Sequence, residues 1–110
     1  MAFGEMQIEV QDETARTTEH FNSSVGTSGT TISAGTNRPI QLVEIYNPSD
    51  GPLANSSGDV LLVSWDSTNY SSIPLGGNII WPGKGYGTYN HQIHIKAEAG
   101  TINYEIRMIS

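Results

Sequence analysis

The segment HQIHIKAEAGTINYEIRM, residues 91–108, alternates apolar and polar side chains on both sides of a central Ala-Gly. In its first half Ile93, Ile95 and Ala97 share one parity, and in its second Ile102, Tyr104, Ile106 and Met108 do. Successive side chains of an extended strand point to opposite faces, so each half carries one apolar and one polar face. The spacing predicts a hairpin turning at Ala99-Gly100, with Ala97 opposite Ile102, Ile95 opposite Tyr104 and Ile93 opposite Ile106. That register sets His94 beside Glu105 on the outer face, where Lys96 and Arg107 add charge.

Strand signals are dense from Arg38 onward. RPIQLVEIY, residues 38–46, is rich in Ile, Leu and Val and meets a turn cluster from Asn47 to Pro52. DVLLVSWD, residues 59–66, places Leu61, Val63 and Trp65 on one parity and Val60 and Leu62 on the other, the pattern of a strand covered on both faces and hence central. In YSSIPLGGNIIWPGKGYG, residues 70–87, short apolar pieces around Ile73 and around Ile79 to Trp81 are separated and closed by Pro and Gly, which predicts short edge strands. No apolar stripe at helical spacing and no fixed-period repeat is visible. The fold class expected is all-β: a small antiparallel β-sandwich, jelly-roll-like or immunoglobulin-like, over residues 38–110.

Residues 1–37 read as an extended N-terminal arm. MAFGEMQIEV, residues 1–10, sets Ala2, Met6, Ile8 and Val10 against Glu5, Gln7 and Glu9, a strand pattern able to pair with a partner's sheet. Residues 11–37 offer only Phe21, Val25 and Ile32 as sizeable apolar anchors in a Ser/Thr/Gly-rich run, and are expected to be an irregular linker. Phe3, Met6, Ile8, Val10 and Phe21 are the candidate partner-binding residues of the arm, which would order by strand addition.

Composition narrows the functions. The chain has 110 residues, 36% hydrophobic and 15% charged, the size of one small domain. Its net charge of -6 has the wrong sign for gaining affinity by neutralising phosphates, which argues against nucleic acid. Apolar runs such as Leu61 to Val63 and Ile79 to Trp81 are far short of the roughly 20 residues of a membrane span. Without cysteine there is no disulfide, thiolate nucleophile or zinc-thiolate site, and residues 1–10 lack the apolar core of a secretory signal.

Candidate chemistry is sparse, and the expectation is a non-enzymatic protein without cofactor. His91 and His94 lie three apart, a spacing that sends them to opposite faces of a strand, so they do not converge on a metal. Gly83-Lys84-Gly85 lacks the preceding Gly and following Ser/Thr of a phosphate loop. Asp50, Asp59 and Asp66 sit at turns, where carboxylates cap local backbone. No Ser/His/Asp set is singled out by its spacing. The Asn-x-Ser matches at Asn22, Asn55 and Asn69 are expected by chance at this composition. Trp65, Tyr70, Trp81, Tyr86 and Tyr89 crowd one segment; of these Trp81, Tyr86 and Tyr89 form a candidate surface patch for a sugar ring or a protein, with core packing the competing role for both tryptophans.

The segments LLVSWDSTNYSSIPLGGNIIWPGKG and IHIKAEAGTINYEIRMI resemble small virion structural proteins of tailed bacteriophages, over about residues 40–109. What the resemblance implies is a β-sandwich repeated on a particle, commonly a capsid cement (decoration) protein and often a homotrimer. The expected partners are the major capsid protein and further copies of the chain, with no nucleic acid and no membrane; the expected location is the capsid surface of a virion, after synthesis in the host cytoplasm. A place in the neck, tail or baseplate, or a carbohydrate-binding role for the aromatic patch, are the alternatives.

Overall fold

Chain reversal after every short apolar run dictates a sheet structure, and the computed structural model, which describes residues 16–36, 38–82 and 92–110, contains eight strands and no helix among them. They are β1 (Thr18–Val25), β2 (Thr30–Ser33), β3 (Leu42–Tyr46), β4 (Leu61–Ser64), β5 (Ser71–Ile73), β6 (Asn78–Pro82), β7 (Gln92–Ala97) and β8 (Ile102–Ile109). Two four-stranded antiparallel sheets result: sheet A in the order β1-β8-β3-β6 and sheet B in the order β2-β7-β4-β5. β4 is an inner strand of its sheet, and β5 and β6 are edges, as their sequences predict.

The pairings β1–β8, β2–β7, β3–β6 and β4–β5 nest one inside the next. The chain is therefore a long antiparallel ribbon, with its tip at the β4–β5 turn, wrapped until β3 meets β8 and β4 meets β7. This is jelly-roll topology. It decides between the two sandwich types that the sequence leaves open.

Wrapping changes what residues 91–108 do. β7 and β8 do not form the predicted hairpin; they lie in different sheets. Alternation is satisfied equally by two apolar rows side by side in one sheet or facing each other across a core, and the flanking strands settle the choice. β7 is held between β2 and β4, and β8 between β1 and β3. The residues after Ala97 make the crossing, with Gly100 in the left-handed region at φ 65 and the Glu98 N–H donating to the Val60 carbonyl at 3.0 Å. His94 and Glu105 consequently belong to different sheets and are not partners; the His94 Nδ1 hydrogen-bonds the Thr31 hydroxyl at 3.1 Å.

A second correction concerns the expected linker. Residues 18–25 and 30–33 supply β1 and β2, so the sandwich begins well before Arg38. Their few apolar side chains were enough: Val25 and Ile32 are buried and Phe21 packs against the core. Pairing energy from β8 and β7 supplies the rest, since a strand joined to a preformed neighbour needs only one good face. Gly29 permits the β1–β2 turn. It has φ 81, and a Cβ there would lie 2.8 Å from the Ile95 carbonyl oxygen. An arm preceding residue 16 lies outside the described residues.

Val43, Ile45, Leu61, Val63, Ile73, Ile93, Ile95, Ile102, Ile106 and Met108 form the centre of the core, each no more than 2% exposed. Trp65 stacks on Trp81 with ring centroids 5.3 Å apart, joining the end of β4 to the edge strand β6 across the two sheets. At the end of β3, fully buried Asn47 ties the layers together. Its Nδ2 donates to the carbonyls of Asp59 and Ile73, both at 2.9 Å, and its Oδ1 accepts from Asn55 Nδ2 at 2.7 Å. Asn55 continues into β8 through the Asn103 carbonyl and N–H, each at 2.8 Å.

A buried amide so fully used is costly to truncate, because each lost partner keeps its desolvation penalty. Asn47→Ala is expected to lower unfolding stability by about 3 kcal/mol, read from urea denaturation, while an exposed change such as Ser72→Ala costs under about 0.5 kcal/mol.

Candidate functional site: an open strand edge and the face beside it

The site is built from β1 outward. Thr17 and Ser110 exchange both main-chain hydrogen bonds, at 2.9 and 3.0 Å, so they form a hydrogen-bonded antiparallel pair. Bonding alternates along an antiparallel ladder, which places Glu19, Phe21, Ser23 and Val25 in hydrogen-bonded pairs with β8. Thr18, His20, Asn22 and Ser24 therefore turn their N–H and C=O groups away from β8, toward the free side of the sheet. Among the described residues no strand pairs with that side.

Side chains along β1 divide by the same parity. Glu19, Phe21, Ser23 and Val25 share the face of core residues Met108, Ile106, Tyr104 and Ile102, to which they are registered. Phe21 is only partly buried there, at the margin of the core. Glu19 is pinned: its two carboxylate oxygens accept from the Gly35 N–H at 2.8 and 3.1 Å. Gly35 allows this approach, since a Cβ on it would lie 2.5 Å from Glu19 Oε2.

The opposite parity forms the outer face of sheet A. One row across the strands runs His20, Arg107, Glu44 and Ile80, and the next runs Asn22, Glu105, Tyr46 and Asn78. His20, Asn22, Glu44, Tyr46, Glu105 and Arg107 line a shallow depression of about 300 Å³. Glu44 is its hub, receiving Arg107 Nη2 at 3.1 Å and Asn78 Nδ2 at 3.0 Å. Beyond it Ile80 is 54% exposed, beside half-buried Leu42 and Ile109. The surface thus offers main-chain groups along one margin, paired charges in the middle and an apolar fringe. Such a mixture is suited to gripping a polypeptide.

Of the candidate residues read from sequence, Phe21 sits on β1 as described, and Phe3, Met6, Ile8 and Val10 lie outside the described residues. Tyr86 and Tyr89 also lie outside them. Trp81 is buried in the core against Trp65, so it does not belong to a surface patch. The edge groups of His20 and Asn22 were missed. Their only signal was the parity shared by Phe21 and Val25, which a Ser/Thr-rich setting obscures.

Other polar clusters serve the fold. The register sets Ser64 opposite His94, with Asp66 nearby in sequence, but the hydroxyl of buried Ser64 donates to Asp66 Oδ1 at 2.8 Å and accepts from the N–H groups of Asp66 and Ser67. Asp66 in turn accepts from the N–H groups of Thr68 and Asn69 at 2.8 Å, and from Asn69 Nδ2 at 2.9 Å. The pair caps the β4–β5 turn, in which Ser67 adopts φ 62. Asp59 accepts from Ser56 N–H at 2.8 Å in the same manner. Lys96 lies over the Tyr70 ring at 4.2 Å on sheet B. No group of three metal-ligating side chains gathers among the described residues.

The backbone N–H groups of Asn69 and Thr68, followed by the Asn69 amide and Ser64 hydroxyl, hold the Asp66 carboxyl well below its ordinary 3.8. A carboxyl depressed by folding stabilises the native state above its unfolded pKa and loses that contribution as pH falls toward the folded value. Asp66→Asn is therefore expected to be less stable than the parent at pH 7, with the gap narrowing below pH about 4, in urea titrations at both pH values.

In comparisons with known proteins, no family model matches this chain and no curated protein does.

Proposed function

We propose that the chain is a non-enzymatic structural protein of a tailed-phage virion, a capsid cement protein that binds the major capsid protein and stabilises the shell, with an arm and one sandwich edge as its contacts. The observation that carries the reading is the free margin of β1, where Thr18, His20, Asn22 and Ser24 offer main-chain donors and acceptors beside the outer face of sheet A. A repeated particle multiplies such modest contacts through effective concentration. The jelly roll agrees with the reading, being common among viral capsid domains, although it hosts lectins and enzymes as well. The expectation drawn from the resemblance of residues 40–109 to phage virion proteins points the same way.

Shells assembled from the major capsid protein alone, mixed with the purified chain and imaged by cryo-electron microscopy, test this directly. Density repeating at equivalent lattice positions is expected, and Arg107→Ala with Ile80→Asp should reduce occupancy at least tenfold if the outer face of sheet A contributes. Bare shells at saturating protein, or density in intact virions confined to the tail axis, would overturn the cement reading, the latter in favour of a neck or tail component.

A further inference from the structure

We propose that Asp50-Gly51 is a site of covalent modification, at which the Gly51 nitrogen closes on the Asp50 carboxyl to give a succinimide and hydrolysis leaves an isoaspartyl linkage, the substrate class of isoaspartyl carboxyl methyltransferases. Both steps balance with water alone. The Gly51 nitrogen bonds to Asp50 Cγ, and the carboxyl hydroxyl leaves with the amide proton as water. Water then returns at one of the two ring carbonyls. Opening at Cγ restores aspartate, whereas opening at the Asp50 main-chain carbonyl leaves the chain running through Cγ, one methylene longer, with the α-carboxylate free.

Ring closure needs an unhindered nitrogen, an uncommitted carboxyl and room for the two to meet. Gly51 carries no Cβ, and one built there would meet nothing within 4 Å. Both residues are exposed. The Ala54 N–H donates to the Gly51 carbonyl at 3.2 Å, so the turn over Pro52 and Leu53 engages the carbonyl of Gly51 and not its nitrogen. Among the described residues neither the Gly51 N–H nor the Asp50 carboxyl has a hydrogen-bond partner. The site lies inside a closed loop, because the Asn55 N–H donates to the Pro48 carbonyl at 2.9 Å. The added methylene therefore falls among residues 49–54, next to the anchor formed by Asn47 and Asn55.

The other aspartates of the described residues are built against the same step. The Asp66 carboxyl accepts from the N–H groups of Thr68 and Asn69, from Asn69 Nδ2 and from the Ser64 hydroxyl, and the following nitrogen, that of Ser67, donates to Ser64 Oγ at 3.0 Å. These donors also keep the Asp66 carboxyl ionised, while it is the neutral acid that loses its hydroxyl as water. Asp59 Oδ2 accepts from the Ser56 N–H at 2.8 Å, and the nitrogen that follows it belongs to Val60, whose branched Cβ crowds the approach. Exposure, an uncommitted carboxyl and a glycine nitrogen thus coincide at Asp50.

The test ages the full chain, folded and unfolded in guanidinium chloride, at the same temperature and mildly acidic pH. Isoaspartate is located by electron-transfer fragmentation and by a protease that cuts before aspartate but not before isoaspartate. Folding is expected to leave the Asp50 rate within fivefold of its unfolded value and to slow Asp59 and Asp66 at least tenfold. Methyl transfer from S-adenosylmethionine to the aged folded chain, by an isoaspartyl methyltransferase, should fall at least fivefold in Asp50→Glu, whose longer side chain would have to close a six-membered ring. Slowing of Asp50 by more than fivefold on folding, isomerisation of Asp59 or Asp66 as fast as Asp50 in the folded chain, or methyl acceptance that falls by less in Asp50→Glu would each overturn the proposal.

Discussion

β7 and β8, consecutive in the chain, end up on opposite sides of the core, and the rest of the molecule depends on that separation. Facing each other, Ile93, Ile95 and Ala97 on one sheet and Ile102, Tyr104, Ile106 and Met108 on the other exclude water from both apolar rows at once. Side by side, the same rows would need a separate layer to cover them. Each strand is instead left with two lateral edges to fill, and residues from the first part of the chain return to fill them. β1 and β2 exist because β8 and β7 require neighbours.

Such wrapping makes most contacts long-range. β4 and β5 are the one consecutive pair of described strands that hydrogen-bond, and their turn is capped by Ser64 and Asp66 before any other pairing is needed. A ribbon growing from that tip pays a loop-closure cost that increases only logarithmically with each nested pair, yet folding should still be slow for the chain's size. The buried asparagine path from Asn47 through Asn55 to Asn103 fastens the sheets at one end, and the tryptophan stack joins β4 to β6 elsewhere. Asn47, Asn55, Ser64 and Asp66 are thus engaged in holding loops and layers.

Among the described residues, the periphery of sheet A is the surface that the proposed contact would use. Its margin at β1 carries main-chain groups in register with side chains of defined parity, and its outer face carries the Glu44–Arg107 pair beside exposed Ile80. Exposed ion pairs of this kind add little to stability, which leaves them available for setting orientation in a contact. The proposed adhesive role would need such a surface on a well-packed frame, and the two sheets bury their facing apolar rows without drawing on this margin.

The sequence by itself determined the all-β class, the strands β3 to β8, the interior place of β4, the edge character of β5 and β6, and the turn duties of Asp59 and Asp66. All of these follow from local periodicity and from residues whose backbone preferences act within a few positions. Tertiary structure alone decided that residues 92–108 form an arch and not a hairpin, that residues 18–25 and 30–33 are strands and not linker, and that Trp81 faces the core. Alternation tells which face of a strand is apolar but not which strand lies beside it. That choice is made by the whole chain at once, through the covering of two facing sheets, and no single segment contains it.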